Sequence, residues 1–339
     1  MIVVVGQRPP SKRYASAAGA SVRASRNATS IAFIATRFSA WDTDLLKVLA
    51  TRRYPGPAFD ELRDVEVAPL EARDDVEALI VANEPVSPEW FPALRLVANF
   101  GVGYDRLGID ALVARGVAVT NTPGVLDAAT ADLTWALILA ARRRVVEGDR
   151  RVRAGEWRGS WADGFLAEEV SGSTLGIVGL GRIGQAVARR AAGFDARVLY
   201  TQRRRSDTGL GEHRELEELL AEADIVTIHA PLTGETRALL DARRLALLRD
   251  GACLVNTARG EIVDEQALVR ELASGRLRAG LDVFAHEPHV PTELLALQNV
   301  VLTPHLGSAT RQTREAMTRI VVDNVLAFER GEELVTPVT

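Results

Sequence analysis

The sequence has one cysteine in 339 residues, lysine only at Lys12 and Lys47, and no apolar run of the roughly 18 residues that a membrane-spanning helix needs. A single cysteine excludes an intrachain disulfide and any cysteine cluster with zinc spacing, and no metal site is expected. Cys253 lies in the apolar run Ala252-Cys253-Leu254-Val255, where a thiol packs as a small hydrophobe. The formal net charge is -4 and the pI about 5.9, so there is no broad basic surface for a nucleic-acid backbone. Membrane and nucleic-acid partners are therefore not expected, and a reducing, cytoplasmic location is. Positive charge is nearly all arginine, a bias read as GC-rich bacterial coding.

Acidic residues are absent from Met1 to Trp41, and Ser11 to Ser30 is mostly Ser, Ala and Arg without apolar periodicity. Such a stretch buries too little to offset its ordering entropy. Residues 1–45 are expected to be an extension, either disordered or the product of a start site placed too far upstream.

Beyond residue 45 the chain is rich in apolar residues, which make up 47% of the whole sequence, and it is long enough for two cores. Short β-type runs alternate with amphipathic stretches, which predicts an α/β fold with parallel sheets. Strands are expected at Val48–Thr51, Val65–Val67, Ala78–Val81, Leu96–Asn99 and Val117–Thr120, then one long helix from about Asp127 to Val152. Six more strands are expected at Thr174–Val178, Arg197–Tyr200, Ile225–Ile228, Ala252–Asn256, Ala279–Val283 and Val300–Leu302. A last helix, about Thr310 to Arg330, can pack back on the first set.

The strand Thr174–Val178 runs into Gly179-Leu180-Gly181-Arg182-Ile183-Gly184 and then a helix, Gln185 to Ala192. In a GxGxxG turn the first glycine permits the bend, the second lets a pyrophosphate approach the backbone, and the third lets helix and strand pack closely. The helix N-terminus offers N–H groups to the phosphates. An NAD-selective site usually carries an acid at the end of the second strand; here stand Gln202, Arg203, Arg204 and Arg205. NADP(H) is thus the expected preference, with NAD(H) still able to bind.

Three further stretches are Asn256-Thr257-Ala258-Arg259-Gly260, Gly280-Leu281-Asp282-Val283-Phe284-Ala285-His286-Glu287-Pro288 and Thr303-Pro304-His305-Leu306-Gly307-Ser308. In order and spacing they strongly resemble the D-isomer-specific 2-hydroxyacid dehydrogenases, nearest the glyoxylate and hydroxypyruvate reductases. The resemblance runs from about Lys47 to the C-terminus and includes Asn99 to Asp105 and Ala129 to Asp132. It implies a Rossmann nucleotide domain at 124–305 and a discontinuous, flavodoxin-like substrate domain at 46–123 and 306–339, both doubly wound. It also implies hydride transfer from NAD(P)H to a small 2-oxo acid, giving the D-2-hydroxy acid.

The resemblance implies a catalytic set matched here by Arg259, Glu287 and His305. The chemistry suits them: a guanidinium can bind a carboxylate and polarise the adjacent carbonyl. A histidine can protonate the developing oxyanion, and a carboxylate can orient it and favour its charged form. Val102 and Gly103, in a loop similar to the family's carboxylate-binding turn, and Ser308 are expected on the substrate. Thr257, Ala258 and Thr130 are expected at the dinucleotide. Asp282 resembles the aspartate near the nicotinamide carboxamide, and could instead be a turn residue at a strand end. The remaining histidines, His213, His229, His286 and His289, lack such a context, although His229 could border the cofactor. Trp135, Trp157 and Trp161 lie in the segment that forms the family's dimer interface, so a homodimer is expected; packing within the chain is the alternative for them. A phosphoglycerate dehydrogenase-like enzyme and a non-enzymatic, dinucleotide-binding corepressor-like module share the fold and stay as alternative functions.

Overall fold

The computed structural model describes residues 45–159 and 165–338; the expected N-terminal extension, up to residue 44, and Trp161 lie outside the described residues. Two parallel sheets organise the rest. The first contains β1 (Val48–Ala50), β2 (Val65–Val67), β3 (Ala78–Val81), β4 (Leu96–Asn99) and, after helix α1 (Ile109–Ala114), β5 (Ala118–Thr120). Their order is β2-β1-β3-β4-β5, every pair parallel. This is the flavodoxin-like order, with its reversal between β1 and β3. Successive residues alternate between two cores, as the strand period demands. Val48, Ala50, Ile80 and Leu96 pack on one face, and Leu49, Leu79, Val81 and Val97 on the other.

Helices α2 (Asp127–Arg142) and α3 (Val145–Arg153) come next. One helix was expected across this stretch, but Arg144 takes a left-handed conformation at φ 52° and divides it. Local propensity hides the break, because arginine is a good helix former. Buried Arg142 reaches instead across the fold, donating to Asp224 O at 3.3 Å and Glu169 O at 2.7 Å. Arg144 donates to Leu166 O at 2.8 Å and lies over the Phe165 ring.

The second sheet begins with β6 (Thr174–Val178), α4 (Arg182–Ala191), β7 (Arg197–Thr201) and β8 (Glu212–His213). It continues through α5 (Leu216–Glu222), β9 (Ile225–Ile228), α6 (Ala242–Leu245), β10 (Cys253–Asn256), α7 (Glu265–Ala273), β11 (Arg278–Leu281), α8 (Thr292–Ala296) and β12 (Val300–Leu302). The order β12-β11-β10-β9-β6-β7-β8 is a Rossmann sheet whose direction of winding reverses between β6 and β9. It has seven strands where six were expected, because the two-residue β8 pairs with β7 and is too short to show as a periodic run. Cys253 is fully buried and burial pushes its thiol up to about 12, so it packs as a hydrophobe.

The final helix, α9 (Arg311–Glu329), places Met317, Val321, Val322 and Val325 in the core of the first sheet. Among the described residues no helix is long and apolar enough to cross a membrane.

Candidate active site

The expected residues sit on loops just beyond the carboxyl ends of the strands, where open α/β sheets receive ligands. Two buried asparagines shape two of these loops. Asn99, the last residue of β4, donates from Nδ2 to Gly101 O at 3.2 Å and Gly103 O at 2.9 Å. Asn121 donates to Val102 O at 3.0 Å. With these carbonyls held, the N–H groups of Val102 and Gly103 find no acceptor among the described residues and are open to an anion. Asn256, the last residue of β10, accepts the Ala258 N–H at 3.0 Å and donates to Arg259 O at 2.8 Å.

Arg259 joins the two loops. Its Nε donates to Asp105 Oδ1 at 3.0 Å and one terminal nitrogen to Ala258 O at 2.7 Å. The other terminal nitrogen rests against Gly103, where an added Cβ would stand only 1.7 Å from it. Only glycine lets the guanidinium come so near the open N–H groups.

The loop of Arg259 also bears on the histidine. Gly260 presses on the Phe284 backbone, where a Cβ would lie 2.0 Å from the Phe284 carbonyl carbon. The Phe284 N–H in turn donates to Glu287 Oε1 at 3.1 Å, and Glu287 Oε2 lies 2.9 Å from His305 Nδ1. Burial pushes the Glu287 carboxyl up, but the hydrogen bond and charge of His305, the Phe284 N–H and the Arg106 charge bring it below its ordinary value. Glu287 therefore meets the imidazole as a carboxylate.

His305 has φ 55°, a left-handed conformation costing on the order of 1 kcal/mol for such a residue. Asp282 holds it there. Its carbonyl accepts the His305 N–H at 2.9 Å, and its buried carboxylate accepts the Thr303 hydroxyl at 2.6 Å, Leu306 N–H at 2.7 Å and Gly307 N–H at 2.8 Å. Burial raises the Asp282 carboxyl and these donors oppose the rise. Both of its oxygens are thus engaged by the loop bearing His305. Thr130, on α2, donates to Gly307 O at 3.1 Å, and Thr257 lies 3.1 Å from Thr134. Ser308 is on the same loop as His305.

At the switch point between β6 and β9, Gly179 has φ 97° and an added Cβ would lie 2.8 Å from the His229 carbonyl carbon. Gly184 packs still closer, its would-be Cβ 2.1 Å from Gly179 O. Gly181, by contrast, has nothing within 4 Å of that position, so space remains for a ligand against the backbone. Helix α4 starts at Arg182, so the Arg182, Ile183 and Gly184 N–H groups precede any intrahelical acceptor. Arg182 pairs with Asp127 at 3.5 Å.

Residues 135–307 match the model for "D-isomer specific 2-hydroxyacid dehydrogenase, NAD binding domain". A glyoxylate reductase from Pyrococcus furiosus is 50% identical over 276 residues, covering 78% of this chain and 82% of that protein. The chain belongs to the D-isomer-specific 2-hydroxyacid dehydrogenase family. A solved Thermus thermophilus protein is 44% identical, with TM-score 0.81, covering 86% of this chain and all of that one. An NADPH-dependent glyoxylate/hydroxypyruvate reductase from Sinorhizobium meliloti, solved with NADP and malonate, has TM-score 0.81 and 34% identity over 87% of this chain and 97% of its own.

As a member of this family the chain binds a nicotinamide dinucleotide, and its residues fit one: the open flank of Gly181 and the first turn of α4 suit a pyrophosphate. Gln202, at the end of β7, accepts the Leu180 N–H at 3.1 Å and donates to Arg204 O at 2.6 Å. Arg203 is exposed and paired with Glu235 at 3.3 Å, whereas Arg204 and Arg205, also exposed, make no ion pair among the described residues. His229 borders the glycine turn through its backbone; its Nε2 is shut from solvent without a partner, and burial pushes its pKa down to about 3.

Trp135 leaves the set of interface candidates. It is buried, stacks on Phe194 at 4.4 Å and donates from Nε1 to Val187 O at 3.1 Å, so it serves the core. Trp157 is 68% exposed.

Sequence reasoning assigned no role to Asn99, Asn256 or Asp105. The signal for the first two was present, a polar residue closing an apolar strand immediately before a glycine- or arginine-bearing loop. Asp105 lies in the stretch that resembles the family, but no local pattern pairs it with Arg259, 154 positions away.

Proposed function

We propose that this enzyme reduces glyoxylate, hydroxypyruvate or a close 2-oxo acid to the D-2-hydroxy acid, with Arg259, Glu287 and His305 as its catalytic residues. The observation that carries this reading is the adjoining placement of Arg259, two open backbone N–H groups and the Glu287–His305 pair. The names of the Pyrococcus and Sinorhizobium relatives agree with it.

The substrate carboxylate is received by the Val102 and Gly103 N–H groups and by Arg259, which also polarises the neighbouring carbonyl. When bound, the reduced dinucleotide would supply the hydride for the carbonyl carbon. As the C=O π pair moves to oxygen, His305 gives its Nε2 proton to that oxygen, forming the hydroxyl. Glu287, accepting the Nδ1–H, fixes the imidazole and stabilises its charged form. Asp282 and Thr303 keep His305 in its left-handed position. Thr130, Thr257, Ala258 and Asp282 would border the nicotinamide end of the cofactor when it is bound, and Ser308 the substrate.

Preference for NADPH belongs to the same proposal. Gln202 brings no negative charge against a 2′-phosphate, and Arg204 and Arg205 are available to it in charge-assisted hydrogen bonds. The substrate domain is assigned to 46–123 and 306–339, and the dinucleotide domain to 124–305. Exposed Val145, Val152 and Trp157 are assigned to a homodimer contact.

Initial rates on glyoxylate and hydroxypyruvate with NADH and NADPH test the whole. His305→Ala is expected to lower kcat at least about 100-fold. Near-normal turnover in that variant removes the general-acid assignment, and an equal or better kcat/KM with NADH removes the NADPH preference. No oxidation of either cofactor with any 2-oxo acid leaves the binding-module alternative in its place.

A further inference from the structure

The carboxyl ends of β1, β3 and β4 carry a charged cluster that proton and hydride transfer do not use. Glu84, just past β3, accepts hydrogen bonds from Arg52, from the Ala82 N–H and from the Thr51 hydroxyl at 3.3 Å. Its charge is therefore balanced by Arg52. Asn83 ties this cluster to the site: its N–H donates to Asn99 Oδ1 at 2.8 Å and its Nδ2 to Asp105 Oδ2 at 3.4 Å, and Asp105 holds Arg259.

Phe100, which opens the turn bearing Val102 and Gly103, packs on Tyr54 with ring centroids 4.5 Å apart. Arg314 stands over the same phenyl ring, its Cζ 5.5 Å from the centroid. It lies in the first turn of α9, the helix that continues directly from the His305 loop. Its guanidinium is half-buried, yet among the described residues it meets no carboxylate and no hydrogen-bond acceptor. Burial and the nearby charge of Arg52 push its pKa down, and no anion offsets them. A partly desolvated cation is costly without a counter-charge, and the ring quadrupole returns only part of that cost. Arg314 is thus a cation with no carboxylate partner among the described residues, packed on the residue that opens the substrate turn and carried by the helix that follows the His305 loop. The carboxylate common to all 2-oxo acids already has Arg259 and two N–H groups, so this cation exceeds its needs.

We propose that Arg314 is a specificity residue that receives an oxygen-bearing group on carbon 3 of the 2-oxo acid, a hydroxyl or a second carboxylate. This rests on the function proposed above and narrows its substrate class. Glu84, neutralised by Arg52, does not repel a second carboxylate and can accept a hydrogen bond from a hydroxyl.

The test compares glyoxylate, which has no carbon 3, with hydroxypyruvate in the unmodified enzyme and in Arg314→Leu, Arg314→Gln and Arg314→Lys. The ratio of kcat/KM for hydroxypyruvate to that for glyoxylate is expected to fall at least about tenfold in the Leu and Gln variants, mostly through KM, and to recover in the Lys variant. Calorimetric binding of tartronate and oxalate to the dinucleotide-loaded protein reads the same contact without turnover, and tartronate should lose affinity selectively. Turnover of no 2-oxo acid by the unmodified protein strikes the proposed function alone. Unchanged ratios, in rate and in binding, overturn the role of Arg314.

Discussion

Two glycine turns of similar spelling, Gly101-Val102-Gly103 after β4 and Gly179-Leu180-Gly181 after β6, differ in what demands their glycines. In the second turn the demand comes from backbone. Gly179 needs its positive φ and Gly184 must lie against Gly179 O, while a Cβ on Gly181 would meet nothing within 4 Å and the space beside it is open. In the first turn neither glycine has a positive φ, and Gly103 is required by Arg259, a side chain from the other sheet. One turn is pressed by backbone, from its own helix and from the end of β9 at His229; the other is pressed by the end of a side chain from the other sheet. A methyl forced against backbone should therefore appear as lost stability, and one forced against Arg259 as lost activity.

The largest effect is expected at Gly184. Its added methyl would meet backbone rather than a movable side chain, so Gly184→Ala should cost about 3 kcal/mol or more of stability, read as a lower Tm and an earlier denaturant midpoint. Gly103→Ala has a flexible guanidinium end to displace, so the fold should persist while kcat/KM falls about 100-fold, near 2.7 kcal/mol in the barrier. A Tm loss as large as that of Gly184→Ala would break the distinction between the turns. Gly181→Ala, with open space around it, should leave Tm unchanged and weaken dinucleotide binding roughly tenfold, measured by fluorescence titration. Unaltered binding there would mean that the pyrophosphate does not approach this residue.

The smallest effect concerns His229, which closes the back of the Gly179 turn. Its pKa is depressed in the folded state by burial, to about 3 from an ordinary 6.5, so the unfolded chain binds its proton first as pH falls. Stability must then decline on acidification through 6.5 and keep declining toward the folded value. Between pH 6.5 and 5.5 the loss is about 1 kcal/mol. His229→Asn should flatten that part of the stability profile, and an unchanged slope would show that the imidazole is not held neutral.

Much of this was legible in the chain itself. Continuous apolar runs such as Ala78–Val81 and Leu96 to Ala98 announced buried parallel strands, because a strand covered on both faces must be apolar throughout. The GxGxxG turn was readable because the spacing of its glycines falls within a few residues, whereas the loops of Arg259, Glu287 and His305 were singled out by their resemblance to the family. The break at Arg144 and the short β8 were not, since arginine propensity favours a continuous helix and a two-residue strand leaves no period. Trp135 could not be divided between core and interface, since burial is a property of the neighbours.

By itself the sequence determined the two-sheet α/β architecture and the dinucleotide turn, which arise from local periodicity and steric need, and its resemblance to the family pointed to the candidate chemical groups. Only the tertiary structure decided that Asp105 clamps Arg259 against Gly103, that Asp282 uses both carboxylate oxygens on the His305 loop, and that Arg314 stands over Phe100 with no carboxylate partner among the described residues. Each of these contacts joins residues from distant parts of the chain, and no local pattern encodes which of the chain's many arginines and carboxylates will meet when the sheets have formed.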